Sequence, residues 1–339
     1  MNQRLLPLAL CCALSLSACG GGGGSPGNTN AGAPAPAPVS TLSTITATNA
    51  TDVAAAAYAG STAVSESSSA LSTILTGVSV GGANISVVTP ALGLIRGAYP
   101  RAKAQLLTGV TMTDACSGGG SVTLEANLRN EQMASNGDTI TLTANNCIED
   151  GETMNGKLST TLSNVTGDVF NSWNWAATMD TTFTNFAVTS AGETVSVNGD
   201  MKIALTQTNS TTSTLILSGK TLSTAVLRNG VTLATVTLAD YSMNGSTRGT
   251  TVSSAASFAM SGSASDLGQF SYTVKNLQPF VSTGGAMPAS GSLIVNGNTS
   301  SVTLTVASAS GVRLDFSARG DGAITQTNTL SWMEFMTAF

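Results

Sequence analysis

Cysteines and carboxylates without a single histidine set the chemistry open to this chain. Without imidazole there is no Ser-His-Asp triad, no Cys-His pair and no imidazole-bound zinc or haem. No Ser-x-x-Lys motif marks an alternative nucleophile. Three stretches could hold a cation: Glu149-Asp150-Gly151-Glu152, Arg129 to Asp138, and Asp315 to Gly322. Calcium needs six to eight oxygens from a preorganised loop. Stretch 149–152 is too short for that alone, and Arg129, Gln132, Ser317 and Arg319 stand where further carboxylates would be wanted. The scattered acids therefore read as loop solvation; neither a metal, a cofactor nor an enzymatic activity is expected.

Cys116 and Cys147 lack a Cys-x-x-Cys arrangement or a third ligand type nearby, which argues against redox or zinc work. The elements around them bring them together. Val122, Leu124, Ala126 and Leu128 alternate with polar residues, as do Ile140, Leu142 and Ala144. Between the two runs, Arg129 to Gly137 ends in the turn signal Asn136-Gly137. Folding these runs as a hairpin places both cysteines at its open end, with Gly118 to Gly120 giving slack. A disulfide there, in an oxidising compartment, stabilises by roughly 3–4 kcal/mol on the chain-entropy estimate.

Strand signals continue to the end of the chain. Asn-Gly recurs at Asn136, Asn155, Asn198, Asn229, Asn244 and Asn296, several times between alternating runs. Val195–Val197 and Met201–Leu205, around Asn198-Gly199, read as one such hairpin. The reading is a meander of about ten to twelve antiparallel strands. Before it the pattern is helical. Asp52 opens an alanine-rich run over 53–59 that Gly60 ends. Leu71, Ile74, Leu75 and Val78 share one helix face, and Thr89-Pro90 starts a further segment over 91–99. These helices are expected to pack on the sheet. At the C-terminus Met333, Phe335 and Phe339 alternate, and a final strand is expected to pack Trp332 and Phe335 into a core.

Charged residues make up only 9 % of the 339, and the polar surface comes from Ser, Thr, Asn and Gly. Exported β-proteins use hydroxyl side chains in this way on the wet face of their strands. The net charge of −5 and the lack of a basic cluster beyond Arg96, Arg101 and Lys103 exclude nucleic acid as a partner. Arg4 followed by an apolar run from Leu5 to Leu16 reads as a secretory signal, too short to span a bilayer. Gly20 to about Ser40, glycines and then Ala-Pro repeats, reads as a spacer without a core.

Leu16-Ser17-Ala18-Cys19, with that apolar run before it, resembles the lipobox of bacterial lipoproteins. The resemblance implies cleavage before Cys19, a lipid on its thiol and an acylated (palmitate-type) amino terminus. Gly20 in place of aspartate implies export to the outer membrane, facing the periplasm or the surface. A second resemblance runs from Cys116 through Gly137-Asp138 to Asn145-Asn146-Cys147, with Ser290–Val295, Leu314-Asp315, Gly320-Asp321-Gly322 and Trp332 in the tail. This is similar to a β-rich pattern of uncharacterised proteobacterial lipoproteins and implies no activity.

The expected organisation is a signal at 1–18, a lipidated cysteine and tether at 19–40, a helical segment at 41–110 and an antiparallel β domain at 111–339. The fold class is mainly β, with short helices packed on one large, curved sheet or sandwich. The functional expectation is a lipid-anchored envelope protein with a structural or interaction role. Its partners would be the membrane, through the anchor, and another envelope protein. The alternative is a carrier holding a lipid or other apolar ligand in an unclosed barrel. An outer-membrane β-barrel is the lesser alternative, since it needs aromatic girdles that Trp173, Trp175 and Trp332 do not supply.

Overall fold

A computed structural model describes residues 41–62, 109–130, 133–149, 151–169, 172–264 and 267–338. The signal, Cys19, the tether and the helices expected at 71–78 and 91–99 lie outside the described residues. Helix α1 spans Ala50–Thr62. The first strands are β1 (Val110–Ala115), β2 (Ser121–Asn127), β3 (Thr139–Glu149) and β4 (Glu152–Thr166). Then come β5 (Trp175–Ser190), β6 (Glu193–Asn209), β7 (Thr212–Arg228), β8 (Val231–Arg248) and β9 (Thr251–Ala264). The last are β10 (Gly268–Thr283), β11 (Ser290–Asn296), β12 (Ser301–Ser308), β13 (Gly311–Ser317) and β14 (Gln326–Ser331), followed by helix α2 (Trp332–Met336).

The 14 strands form one antiparallel sheet in chain order, a pure meander. Pairing runs from β1 to β14 without joining those two edges, so the sheet is unclosed. The mainly β architecture expected from the sequence is what the chain adopts, with more strands than ten to twelve. One face carries a continuous core that includes Leu142, Phe186, Ile203, Leu217, Met243, Phe258, Tyr272 and Leu304.

Four strands keep their apolar side chains on that face only because each contains an extra residue. On β3 the inward set steps by two through Ile140, Leu142 and Ala144, then by three to Cys147. On β5 the same step separates Phe183 from Phe186, and on β8 it separates Leu238 from Tyr241. On β7 the set moves from Leu217 to Leu222. Each step coincides with a register shift, against the next strand for β3, β5 and β8 and against β6 for β7, the mark of a β-bulge. Since side chains alternate with period two, a strand without its bulge would turn half its apolar residues to water.

The Asn-Gly pairs explain how the bulges are held. Asn146 and Asn185 adopt left-handed φ values of 45° and 46°. Their N–H groups, freed from the ladder, donate to Asn155 Oδ1 (2.8 Å) and Asn198 Oδ1 (2.6 Å) on the neighbouring strands. Beside these acceptors, a Cβ on Gly156 would overlap the Asn185 carbonyl, and one on Gly199 would overlap the Thr221 carbonyl. Asn155-Gly156 and Asn198-Gly199 are therefore parts of a crease inside long strands, not hairpin turns. Val195 to Leu205 lies within β6 alone. Asn229-Gly230 does form the two-residue turn between β7 and β8.

Helix α1 packs against β9 to β13 and α2. Its residues are buried almost all round, with Val53, Ala54 and Ala57 fully enclosed, which a run of small side chains permits. The expected stop at Gly60 does not occur, and the helix continues to Thr62. Gly60 serves packing instead: a Cβ there would press on the Phe258 ring at 3.0 Å.

The expected final strand is helix α2. Ser331 Oγ accepts from the Glu334 N–H, while Glu334 Oε2 accepts from the Ser331 N–H at 2.8 Å. This capping box turns the chain out of β14. Trp332 and Phe335 then fall one helical turn apart and are buried, as expected of their side chains. Tyr58 of α1 joins them, with ring centroids 5.2 Å from Trp332, 5.8 Å from Phe335 and 5.0 Å from Phe280 of β10.

Candidate functional site

The meander places alternate loops at opposite ends of the sheet. One end holds the β1–β2 loop, the β7–β8 turn and the β11–β12 loop. Residues 43–45 are tied there: the Ser43 N–H donates to the Ser271 carbonyl, and the Ile45 N–H donates to Ser300 Oγ at 2.7 Å. The far end holds the β2–β3 loop, the β8–β9 turn and α2.

At the tied end, Cys116 and Cys147 form a disulfide, with their Cα atoms 5.4 Å apart. Glu149 lies beside them, so two sulfurs and a carboxylate share a small volume. This grouping is not a metal site, because disulfide sulfurs are not thiolates. The Glu149 carboxylate also accepts from the Ser117 N–H (2.9 Å) and Ser117 Oγ (2.6 Å). The hydroxyl first, then the backbone N–H, hold its pKa below the ordinary value.

The other acidic stretches are used in the same way. Asp138 is fully buried, and its two oxygens accept from the Arg129 and Ser135 N–H groups, each at 2.8 Å. Asp315 accepts from Arg313 Nε (2.9 Å) and Thr327 Oγ1 (2.8 Å). Asp321 caps the Ala323 N–H at 3.0 Å, which lowers its pKa. Asp200 closes the β7 bulge by accepting from the N–H groups of Lys220 (2.9 Å) and Thr221 (3.0 Å). Apart from Asp315, whose partners are side chains, these carboxylates satisfy backbone donors that irregular strands leave over. No other set of three or more metal-binding side chains converges among the described residues.

The outer face holds a cleft that the sequence did not announce. It occupies about 410 Å³ where β7, β8 and β9 meet the far end. Cross-strand rows build its floor: Thr212, Arg248 and Thr251 in one, Thr214, Ser246 and Ser253 in the next. All six lie on the face opposite the core, because the inward positions on these strands are Leu215, Gly245 and Ser254. Short hydroxyl side chains leave the depression, and the exposed Arg248 borders it. Arg248 forms no ion pair among the described residues. The signal for this site was the alternation itself, Ser246-x-Arg248 against Thr251-x-Ser253, since every second residue of these strands must face outward.

No protein-family profile, characterised protein or solved structure matches this chain.

Proposed function

We propose that the chain is a lipid-anchored protein of the outer membrane whose β domain has a structural or interaction role. The observation that carries this reading is the packing of α1. Its fully enclosed Val53, Ala54 and Ala57, with Tyr58 against Phe280 and Trp332, occupy the core face over β9 to β13. A carrier would keep an apolar cavity of several hundred Å³ at such a place. The cleft on the outer face is lined by hydroxyls instead. A membrane barrel must close so that no edge meets lipid, and this sheet is unclosed. No described helix is long and apolar enough to cross a membrane. Attachment then falls to Cys19, and the disulfide fits an oxidising compartment. The test is fractionation of a Gram-negative host expressing the full chain. Cys19→Ala is expected to remove the protein from the outer-membrane fraction. Retention with the outer membrane would overturn the reading.

One observation favours the carrier reading. Ser254 Oγ and Trp332 Nε1 are buried without hydrogen-bond partners among the described residues. Ser254 pairs with Phe280 across β9 and β10, and Trp332 packs on Tyr58, so both orphans flank one aromatic cluster. Each costs about 1–3 kcal/mol if left unmade, a place for a water or the polar end of a ligand. Native mass spectrometry of the Cys19→Ala protein, purified from the cell envelope without refolding, decides between them. A lipid that stays bound to the Cys19→Ala protein supports a carrier; a bare chain sinks it.

A further inference from the structure

The outer face beyond the cleft continues the same design. Along β9 the outward positions Thr251, Ser253, Ala255 and Ser257 alternate without interruption, the register shifts here falling on β8 between Ala239 and Ser242 and on β10 between Lys275 and Phe280. Ser257 pairs with Lys275 of β10, and Thr251 pairs with Arg248 of β8. Six residues of strand, about 20 Å at roughly 3.3 Å per residue, therefore separate the two cations. Between them lie small hydroxyl side chains and the exposed amide of Asn244, which pairs with Ala255. Arg248 and Lys275 are both exposed, and neither forms an ion pair among the described residues. The other exposed lysines of this region do: Lys202 with Asp180 at 3.2 Å and Lys220 with Asp240 at 2.7 Å. In a chain of net charge −5, this strip holds two uncompensated positive charges.

We propose that this strip binds an acidic polysaccharide, with the carboxylate of one uronic sugar in the Arg248 cleft and a second acidic group on Lys275. Hydroxyl side chains both donate and accept, and so match the hydroxyls of a sugar. A guanidinium grips a carboxylate through two parallel hydrogen bonds. The distance between the cations suits an extended polymer of several sugar units rather than a single small anion. A peptide added as an extra strand would need a sheet edge, and β7 to β10 are central. Single-stranded nucleic acid would need aromatic stacking platforms, which the strip lacks. Two point contacts on an exposed face give weak binding per site, strengthened when many anchored copies meet one polymer.

The inference rests on the envelope reading, and its test can fail separately. The lipidated full chain, extracted in nonionic detergent, is titrated with polygalacturonate oligomers, neutral dextran and a single-stranded oligonucleotide at low salt. Polygalacturonate is expected to bind and dextran not to, with affinity falling as salt rises. Arg248→Ala is expected to weaken binding at least about tenfold, and Arg248→Lys less, because the paired hydrogen bonds go while the charge stays. Lys275→Ala is expected to weaken it about threefold, while Lys157→Ala on β4 leaves it unchanged. No binding of polygalacturonate would overturn the proposal. So would equal binding of dextran, tighter binding of the oligonucleotide, or a doubly substituted Arg248→Ala, Lys275→Ala chain that binds as the parent does. If Cys19→Ala still frees the chain from the membrane, such a failure removes the ligand and leaves the envelope reading standing.

Discussion

Gly156→Ala tests whether the line of bulges holds the sheet in shape. Gly156 has φ +94°, which an L side chain rarely adopts, and its Cβ would meet the carbonyl of Asn185. The conformational part costs about 1–3 kcal/mol. The overlap cannot be relieved by a side-chain rotation, because the obstacle is backbone. Strands β4 and β5 must separate at the crease, where Asn155 receives the Asn146 N–H and Asn198 receives the Asn185 N–H. That steric part adds about 2 kcal/mol, so the total falls near 3–5 kcal/mol. Gly230, in the β7–β8 turn, provides the comparison. Its φ is +79°, but nothing lies within 4 Å of an added Cβ, so Gly230→Ala carries conformational strain alone, about 1–2 kcal/mol. Urea unfolding followed by tryptophan fluorescence measures both. With a slope of about 3 kcal/mol/M, the midpoint should fall by about 1–1.7 M for Gly156→Ala and about half a molar for Gly230→Ala. Equal shifts would refute the argument, because they would mean that the Asn185 carbonyl is not where the crease puts it.

Replacing Cys116 and Cys147 together by alanine should lower stability by about 3–4 kcal/mol, the loop entropy for a sequence separation of 31, as read from the unfolding midpoint without reductant; a loss below about 1 kcal/mol would contradict it. Glu149 and Glu334 have pKa values lowered in the folded state, the first by the Ser117 hydroxyl and the second by the Ser331 N–H. Their contribution is therefore present above the ordinary value of 4.5 and lost as pH falls below it; the melting temperature of a Glu149→Gln, Glu334→Gln chain should depend less on pH between 5 and 3 (approximate bounds of the scan) than that of the parent. The Tyr241 phenol is pushed up by burial first and by the Asp200 charge second, and it donates to the Asp200 carbonyl at 2.6 Å. Its stabilising effect is complete below the ordinary value of 10 and is lost as pH rises beyond that, so its tyrosinate absorbance should appear only with alkaline unfolding.

The sequence makes the β class, the β2–β3 hairpin and the cysteine pair legible, because Val122–Leu128 and Ile140–Ala144 alternate without interruption. Its period-two signal fails where a bulge inserts a residue. Phe183 and Phe186, or Leu238 and Tyr241, share a face at a spacing that a strict alternation assigns to opposite faces. Asn198-Gly199 then looks like a turn because turns and bulges want the same thing, a residue at ease with positive φ. Strand β14 escapes the pattern for another reason: Gln326 to Ser331 is exposed or half-exposed throughout and carries no apolar face. Helix α2 was written in Ser331-Trp-Met-Glu334, a capping box, but the alternation of Met333 with Phe335 suggested strand. Gly60 shows the reverse error. Composition marks it as a stop, whereas only the Phe258 ring across the core explains a glycine inside α1. The cleft was legible in its residue types and not in its place, since three strands build it and their register depends on the same bulges.

The central claim is that Cys19 anchors this domain to the outer membrane. Intact mass, followed by fragmentation of the amino-terminal peptide from protein extracted out of that membrane, tests it most directly. The expected result is a mature chain that starts at Cys19, with a diacylglyceryl group on the thiol and an acyl chain on the amine. A chain that starts elsewhere, or a free Cys19 thiol on membrane-derived protein, would contradict it.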